Sequence, residues 1–396
     1  MALEKVTDIA APGKSLSPNS EAGRINAARA NRRLFNGDFS ELKIDRVDNE
    51  TPALEINWFR RAATFFPEFM LAERPTITVT NNPRMEAAIA DMGRDMFATL
   101  QQANVLMISE GECVIATHPM NPLQFVRYPT DSHYEVVDAM GRVTHDLLID
   151  IRQRGTTRTV DIVCYAVEGR GSFWRQYEYN AGAVGGRIDT FTLPPRAGRQ
   201  VVSLRNNSET TSLYDDLKSL IGVMARTATG VARREKRNSN PHLAGPEGML
   251  KDDGSGNKVI DSRGMFLPLE QGDPQPSYLY LDTPEQSARW LFKTSEQSMF
   301  NLAALPAFLF DPDMKLGNIT GRGLERSLLP FRTRVSHYAR TNEQALLALF
   351  RVWNNNRAVA NAEVFQYDDR DVEVEWRYSE IFEDAMGNSL VLSEMG

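Results

Sequence analysis

The sequence predicts an α+β fold, and three observations carry that prediction. Short β-type segments follow one another between residues 105 and 192, separated by Gly, Asn, Asp and Pro. Amphipathic stretches of unusual length come after them, and a Gly/Pro-rich insert separates two of these. With 396 residues, 42% of them hydrophobic, the chain is long enough for two or three domains with their own cores. No apolar run approaches the roughly twenty residues a membrane-spanning helix needs. The start, Met1-Ala2-Leu3-Glu4-Lys5, leads into a polar Pro/Ser stretch rather than a signal peptide. The expectation is a protein made and used in a cytoplasm, with no membrane partner.

Residues 1–20 read as a mobile arm and 21–35 as a helix ended by Asn36-Gly37. Arg29, Arg32 and Arg33 on that helix read as a solvated or intersubunit face rather than a nucleic-acid patch. A helix is expected over 56–69, anchored by Trp58, Phe59, Phe65 and Phe66 and ending near Pro67, then a strand over 74–79. Ile89, Met92, Met96 and Leu100 share one side of a helix over 85–103. Strands are expected over 105–109, 113–117, 123–128, 134–137, 145–152, 159–167, 172–179 and 187–192, with a hairpin at Asp138-Ala139-Met140-Gly141. Cys113 and Cys164 fall inside two of these strands and read as buried free thiols.

Ser208-Glu209-Thr210-Thr211 should open a helix running to about residue 238. Its stripe is Leu213, Leu217, Leu220, Ile221, Met224, Ala228 and Val231, and its end is basic, as the helix dipole favours. Eleven Gly and Pro residues between 241 and 276 leave room only for short strands such as 258–260 and 265–267. Thr283-Pro284-Glu285-Gln286 then gives cap, first-turn proline and capping box for a helix that Pro306 stops. Ala288, Leu291, Phe292, Ser295, Met299, Leu302 and Ala303 form its apolar face. After a loop, apolar residues from Leu324 to Trp353 define a second helix of roughly 50 Å. Pro330 lies inside it and predicts a kink. Asn354-Asn355-Asn356 is expected to close it, and 372–376 alternates as a strand.

Thr320-Gly321-Arg322-Gly323-Leu324 resembles the Ser-Gly-x-Ala-Leu signature that opens the long kinked helix of portal proteins of tailed double-stranded-DNA bacteriophages. Thr320 keeps the capping hydroxyl of the signature's Ser; Gly323 replaces Ala and weakens the first turn by about 1 kcal/mol. Gly111, Glu112, Val114, Pro129, Tyr134, Val136 and Asp138 are similar to the family's wing in their order, and read as architecture. The resemblance implies a fold with an α/β wing, a two-helix stem, a small clip and a long kinked helix, with the crown reduced or absent. On this mapping 1–50 is an N-terminal arm and helix, 51–207 the wing, 208–240 the first stem helix and 241–282 the clip. The second stem helix is 283–306, the tunnel loop 307–319, the long helix 320–356, and 357–396 a return strand with a short tail.

The same resemblance implies a ring of twelve copies at one capsid vertex, a channel for DNA packaging and ejection. Its partners would be double-stranded DNA in transit, the large terminase, the major capsid protein and head-completion or tail adaptor proteins. Met314, Lys315 and Asn318 of the tunnel loop would face the DNA. A net charge of −7 and a pI near 5.5 argue against tight nucleic-acid binding through a basic surface but suit a lining that lets DNA slide.

Enzymatic chemistry has little support. Asp311-Pro312-Asp313 could be the metal clamp of a glycosyl- or nucleotidyltransferase, yet it is also turn chemistry and no βαβ phosphate site precedes it. There is no Walker A sequence and no nucleophile elbow. The five histidines have no carboxylate or Cys at ligand spacing, so no metal and no cofactor are expected.

Overall fold

The structure is a computed structural model. It describes residues 21–42, 57–80, 82–154, 157–167, 171–180, 187–239, 242–246, 251–252, 258–259, 266–269, 277–279, 285–307 and 321–376. The described chain divides into two compact units, one of 1–38, 58–216 and 303–396, the other of 39–57 and 217–302.

The first unit begins with α1 (Glu21–Phe35) and α2 (Trp58–Met70), followed by β1 (Thr76–Val79) and α3 (Pro83–Glu110). Pro67 sits one turn before the end of α2, which runs to Met70, one residue past the expected end. The start of α3 is fixed by Asn82, whose side chain accepts the Met85 amide at 3.1 Å, and by Pro83, which has no amide to leave unsatisfied. The expected strand over 105–109 is the last part of α3. Val105 to Ser109 is an apolar run that fits strand and helix alike, and α3 carries it on to a left-handed C-cap at Gly111 (φ 96°), whose amide returns to the Met107 carbonyl.

Next come β2 (Glu112–Thr117), β3 (Phe125–Pro129), β4 (His133–Val137), β5 (Val143–Arg154), β6 (Thr157–Ala166), β7 (Phe173–Asn180), β8 (Arg187–Thr192) and β9 (Val201–Arg205). They make two antiparallel sheets, one in the order β3-β2-β9 and the other the meander β4-β5-β6-β7-β8. The hairpin between β4 and β5 turns at Gly141 (φ 78°), as its sequence predicts. Sequence reading missed β9. Val114, Ala116, Tyr128 and Val201 from the first sheet and Leu148, Val163 and Tyr165 from the meander form one buried cluster, so the sheets are joined face to face. Both Cys113 and Cys164 are buried free thiols.

The unit is completed by α6 (Gly321–Arg357) and β15 (Val372–Glu375); β15 pairs antiparallel with β1, from Thr76 opposite Glu375 to Val79 opposite Val372. Asn354, Asn355 and Asn356 lie in the last turn of α6, which ends at Arg357, one residue past the expected close.

The second unit holds most of α4 (Leu213–Ser239), then β10 (His242–Pro246), β11 (Lys251–Asp252), β12 (Lys258–Val259), β13 (Phe266–Leu269), β14 (Ser277–Leu279) and α5 (Glu285–Ala303). In it β10 is flanked by parallel β13 and antiparallel β14, and β11 pairs with β12. The apolar face expected on α5 is only partly buried: Ser295, Met299 and Ala303 are covered, while Leu291 and Leu302 are 40% and 47% exposed.

The start of α4 corrects the expectation of a helix from Ser208. Asn206 and Asn207 hold residues 207–211 in a tight loop: Asn207 accepts the Glu209 and Thr211 amides, and Asn206 donates to the Thr211 carbonyl at 2.8 Å. Ser212 is the cap, accepting the Tyr214 amide at 2.9 Å, while Asp215 accepts the Ser212 amide in return.

Candidate functional site

The long helix α6 is the element from which a functional site can be built. At 37 residues it spans about 55 Å. One side is buried from Leu328 through Phe331, Val335, Tyr338, Leu346, Leu349 and Phe350 to Trp353. Phe331 stacks on Phe66 of α2 at 5.7 Å and meets Phe69 edge-on at 5.0 Å, and Tyr338 meets Phe66 edge-on at 5.4 Å. Aromatic anchors on α2 therefore hold the N-terminal half of α6.

Polar groups fix its register. The buried amides of Asn104 and Asn342 join α3 to α6. Tyr338 donates to Asn206 Oδ1 at 2.9 Å, tying α6 to the loop before α4. At the far end Asn354 exchanges two hydrogen bonds with the Phe365 backbone, 2.7 and 2.9 Å, and Asn356 donates to Gln200 and to the Pro122 carbonyl. The Arg357 guanidinium covers Trp353 and Phe365 at 4.8 and 4.5 Å. A run of three asparagines signals a helix end in sequence; here two of them are buried connectors.

Gly321, Gly323 and Leu324 lie in the first turn of α6, and Pro330 in its third turn, on the exposed side. Met314, Lys315, Asn318 and Thr320 lie outside the described residues, as do Asp311 and Asp313.

A second polar belt clasps α1 to the rest of the unit. Arg32 forks onto Glu110 at 2.7 and 3.0 Å and reaches Asp131 at 2.6 Å; Arg29 also donates to Asp131, and Arg24 to Glu112. Arg29 and Arg32, two of the three arginines expected on a solvated or intersubunit face, are thus engaged within the chain. Burial pushes the Glu110 carboxyl above its usual range, and Arg32 offsets only part of that. Burial works in the same direction on Asp131, but there Arg32 and Arg29 outweigh it and hold the carboxyl low.

The same logic governs the edge of the meander. His133 lies 2.9 Å from Asp146, and Arg199 reaches Asp146 and Glu135 at 2.6 Å each. Strand pairing across β4 and β5 gives His133 a carboxylate that sequence spacing did not show. His133, Glu135 and Asp146 present ligand atoms within 4.8 Å of one another, a geometry that could hold a cation. Arg199 already supplies the positive charge there. Burial alone would raise Asp146, yet His133 and Arg199 keep its carboxyl below the usual value. Nearby, buried Arg196 has neutral partners instead: it donates to Thr117 Oγ1 and the Pro119 carbonyl at 2.7 and 2.6 Å and lies over the Tyr165 ring.

The family model described as "Phage portal protein, SPP1 Gp6-like" matches residues 72–387. The chain belongs to the phage portal proteins. The match spans α3, both sheets, α4, α5 and α6, most of the chain. This portal protein is therefore a DNA-packaging and ejection connector, a structural protein and not an enzyme. The transferase alternative through Asp311 and Asp313 falls with that membership. As a portal it forms an oligomeric ring that interacts with capsid and DNA, which implies a place at a vertex of the virion. No individually curated protein matches the chain. Among the described residues no helix is long and apolar enough to cross a membrane.

Proposed function

We propose that twelve copies of this portal close a ring at a single capsid vertex and that 307–319 is the tunnel loop facing the DNA. Met314, Lys315 and Asn318 project toward the axis, and one Lys per subunit gives a ring of positive charge. Phosphate attraction to such a ring is screened over about 10 Å at 0.1 M salt, weak enough for DNA to slide. The carrying observation is α6: it begins at Gly321, directly after that loop, and is held by buried aromatic and amide contacts from α2 and α3. A loop carried by an anchored helix can bear force from a moving polymer without displacing the wing.

In this reading Pro330 bends α6, because its ring removes one backbone donor and crowds the preceding turn. Residues 208–240 and 283–306 are the stem, and 241–282 the clip, where the large terminase docks and head-completion or tail adaptor proteins later replace it. The wing, 51–207, meets the major capsid protein, with 1–50 as its arm and 357–396 as return strand and tail. Assembly takes place in the host cytoplasm.

Light scattering on the purified chain tests the ring. The expected mass is on the order of 500 kDa, from a closed heterologous assembly. Particles that stay below about 100 kDa at every salt concentration would overturn the reading.

A further inference from the structure

The five-stranded meander has two unlike faces. One carries Leu148, Val163 and Tyr165, exposed by 0%, 2% and 1%, and is closed by the β3-β2-β9 sheet. The register of β5, β6 and β7 puts a different set on the other face, in three rows: Leu147 with Cys164 and Phe173, Ile149 with Ile162 and Arg175, and Ile151 with Val160 and Tyr177. Leu147, Ile149, Val160, Ile162 and Phe173 are only half-buried, and Ile151 is 52% exposed. Arg175, the one charge in these rows, lies across the Phe173 ring at 4.7 Å.

A half-exposed antiparallel sheet normally alternates apolar and polar residues, because one face meets water. Here the outer rows are apolar apart from Arg175, while the closed face carries Asp150, Asp161 and Gln176 in the row beside Leu148 and Val163. Three rows about 7 Å apart on three strands about 4.8 Å apart make a patch of about 300 Å², the size of the largest apolar patch on a typical soluble chain. That is a little over a third of the ~800 Å² each partner contributes to a standard interface, enough for the apolar centre of one.

We propose that this face of β5–β7 is covered by the neighbouring protomer of the portal ring. The inference rests on the ring reading above. Every copy of the chain carries the patch, so an occupant that covers it throughout must be present in equal number, and the chain itself meets that condition. A closed ring further requires each protomer to offer two unlike surfaces, one fitting the other. The apolar sheet face supplies one of the two; with no carboxylate in its rows and Arg175 laid flat, it suits an apolar partner surface with acidic edges.

The test uses the full chain. Ile162→Asp places a charge at the patch centre and should convert the ring to species below about 100 kDa, with the far-UV circular dichroism of the wild type. Independently, in a Cys164→Ser background, the thiol of Ile151→Cys should react with a maleimide at least tenfold more slowly in the assembled ring than that of Met140→Cys. Met140, 80% exposed at the β4–β5 turn, is the open reference. Comparable labelling of both positions in an intact ring overturns the proposal while leaving the ring reading untouched, as does normal assembly of Ile162→Asp. Protection that arises only after capsid protein is added also overturns it and assigns the face to the shell. A wild-type chain that forms no ring removes the reading and the proposal together.

Discussion

Asn104 of α3 and Asn342 of α6 face each other through a closed pair of amide hydrogen bonds, 2.7 and 3.0 Å long. Each Nδ2 also donates, at 2.8 Å, to a carbonyl one turn back on its own helix, Leu100 for Asn104 and Tyr338 for Asn342. Both residues are essentially sealed from solvent. Asn104→Leu should therefore cost about 1–3 kcal/mol, because it strands the Asn342 amide without a partner. A differential scanning melt should fall by several degrees, and Asn104→Leu with Asn342→Leu should recover most of the loss. Two single losses that simply add would show that the pair is not coupled.

Gly111→Ala should be among the most damaging small substitutions in the first unit. A Cβ there would lie 2.1 Å from the Thr210 carbonyl oxygen, and φ is +96°. Backbone must move in the loop that Asn206, Asn207 and Ser212 hold, so a loss of more than about 2 kcal/mol is expected. Denaturant unfolding measures it. A midpoint within error of wild type would mean that the α3–β2 corner is far softer than its hydrogen bonds suggest.

Acid should release α1 first. Asp131, held by Arg29 and Arg32 of α1, has a carboxyl depressed below the usual range in the folded chain. It contributes stability that is complete above the unfolded value of about 3.9 and is lost as pH falls through the lower folded value. Hydrogen exchange over residues 21–35 should therefore rise below about pH 4. Asp131→Asn should raise exchange there at neutral pH and weaken its acid dependence. An unchanged protection pattern would remove the clasp from the account of α1.

Lys315→Glu, and separately a shortened 312–317 loop, should leave ring mass unchanged and reduce the length or retention of packaged DNA. Normal packaging in both variants would make 307–319 a connector only.

Removing residues 241–282 and joining the flanking helices should leave a folded chain that no longer recruits terminase. Pull-down of the terminase by the excised protein would place its docking surface elsewhere.

Much of this architecture was readable because helices announce their ends. Thr283-Pro284 and the Thr320-Gly321 pair lie within two residues of the helices they open, and Phe331, Val335 and Tyr338 follow the expected stripe. Errors cluster where a signal is shared by two structures. Val105 to Ser109 is apolar enough for a strand, and only Gly111 as a C-cap distinguishes the longer helix. Ser208 and Ser212 are equally good caps on paper; the choice is made by Asn206 and Asn207, whose side chains hold the intervening loop. The ion pairs were not readable at all. His133 meets Asp146 through strand register, and Arg32 meets Glu110 through packing of α1 on the end of α3, neither of which has a fixed sequence spacing.

The β1–β15 ladder has a consequence in time. Val79 leaves the ribosome about 290 residues before its partner Val372. At 5–20 residues per second that interval is roughly 15–60 s. Throughout it β1 is an open edge, and the Phe66 surface of α2 waits for Phe331. The larger part of the second unit, 217–302, is inserted in the same gap, and that unit is synthesised entire before the first can close. The first unit therefore finishes folding last although it starts first. A nascent chain stalled before residue 328 would be the form most exposed to aggregation or to chaperones.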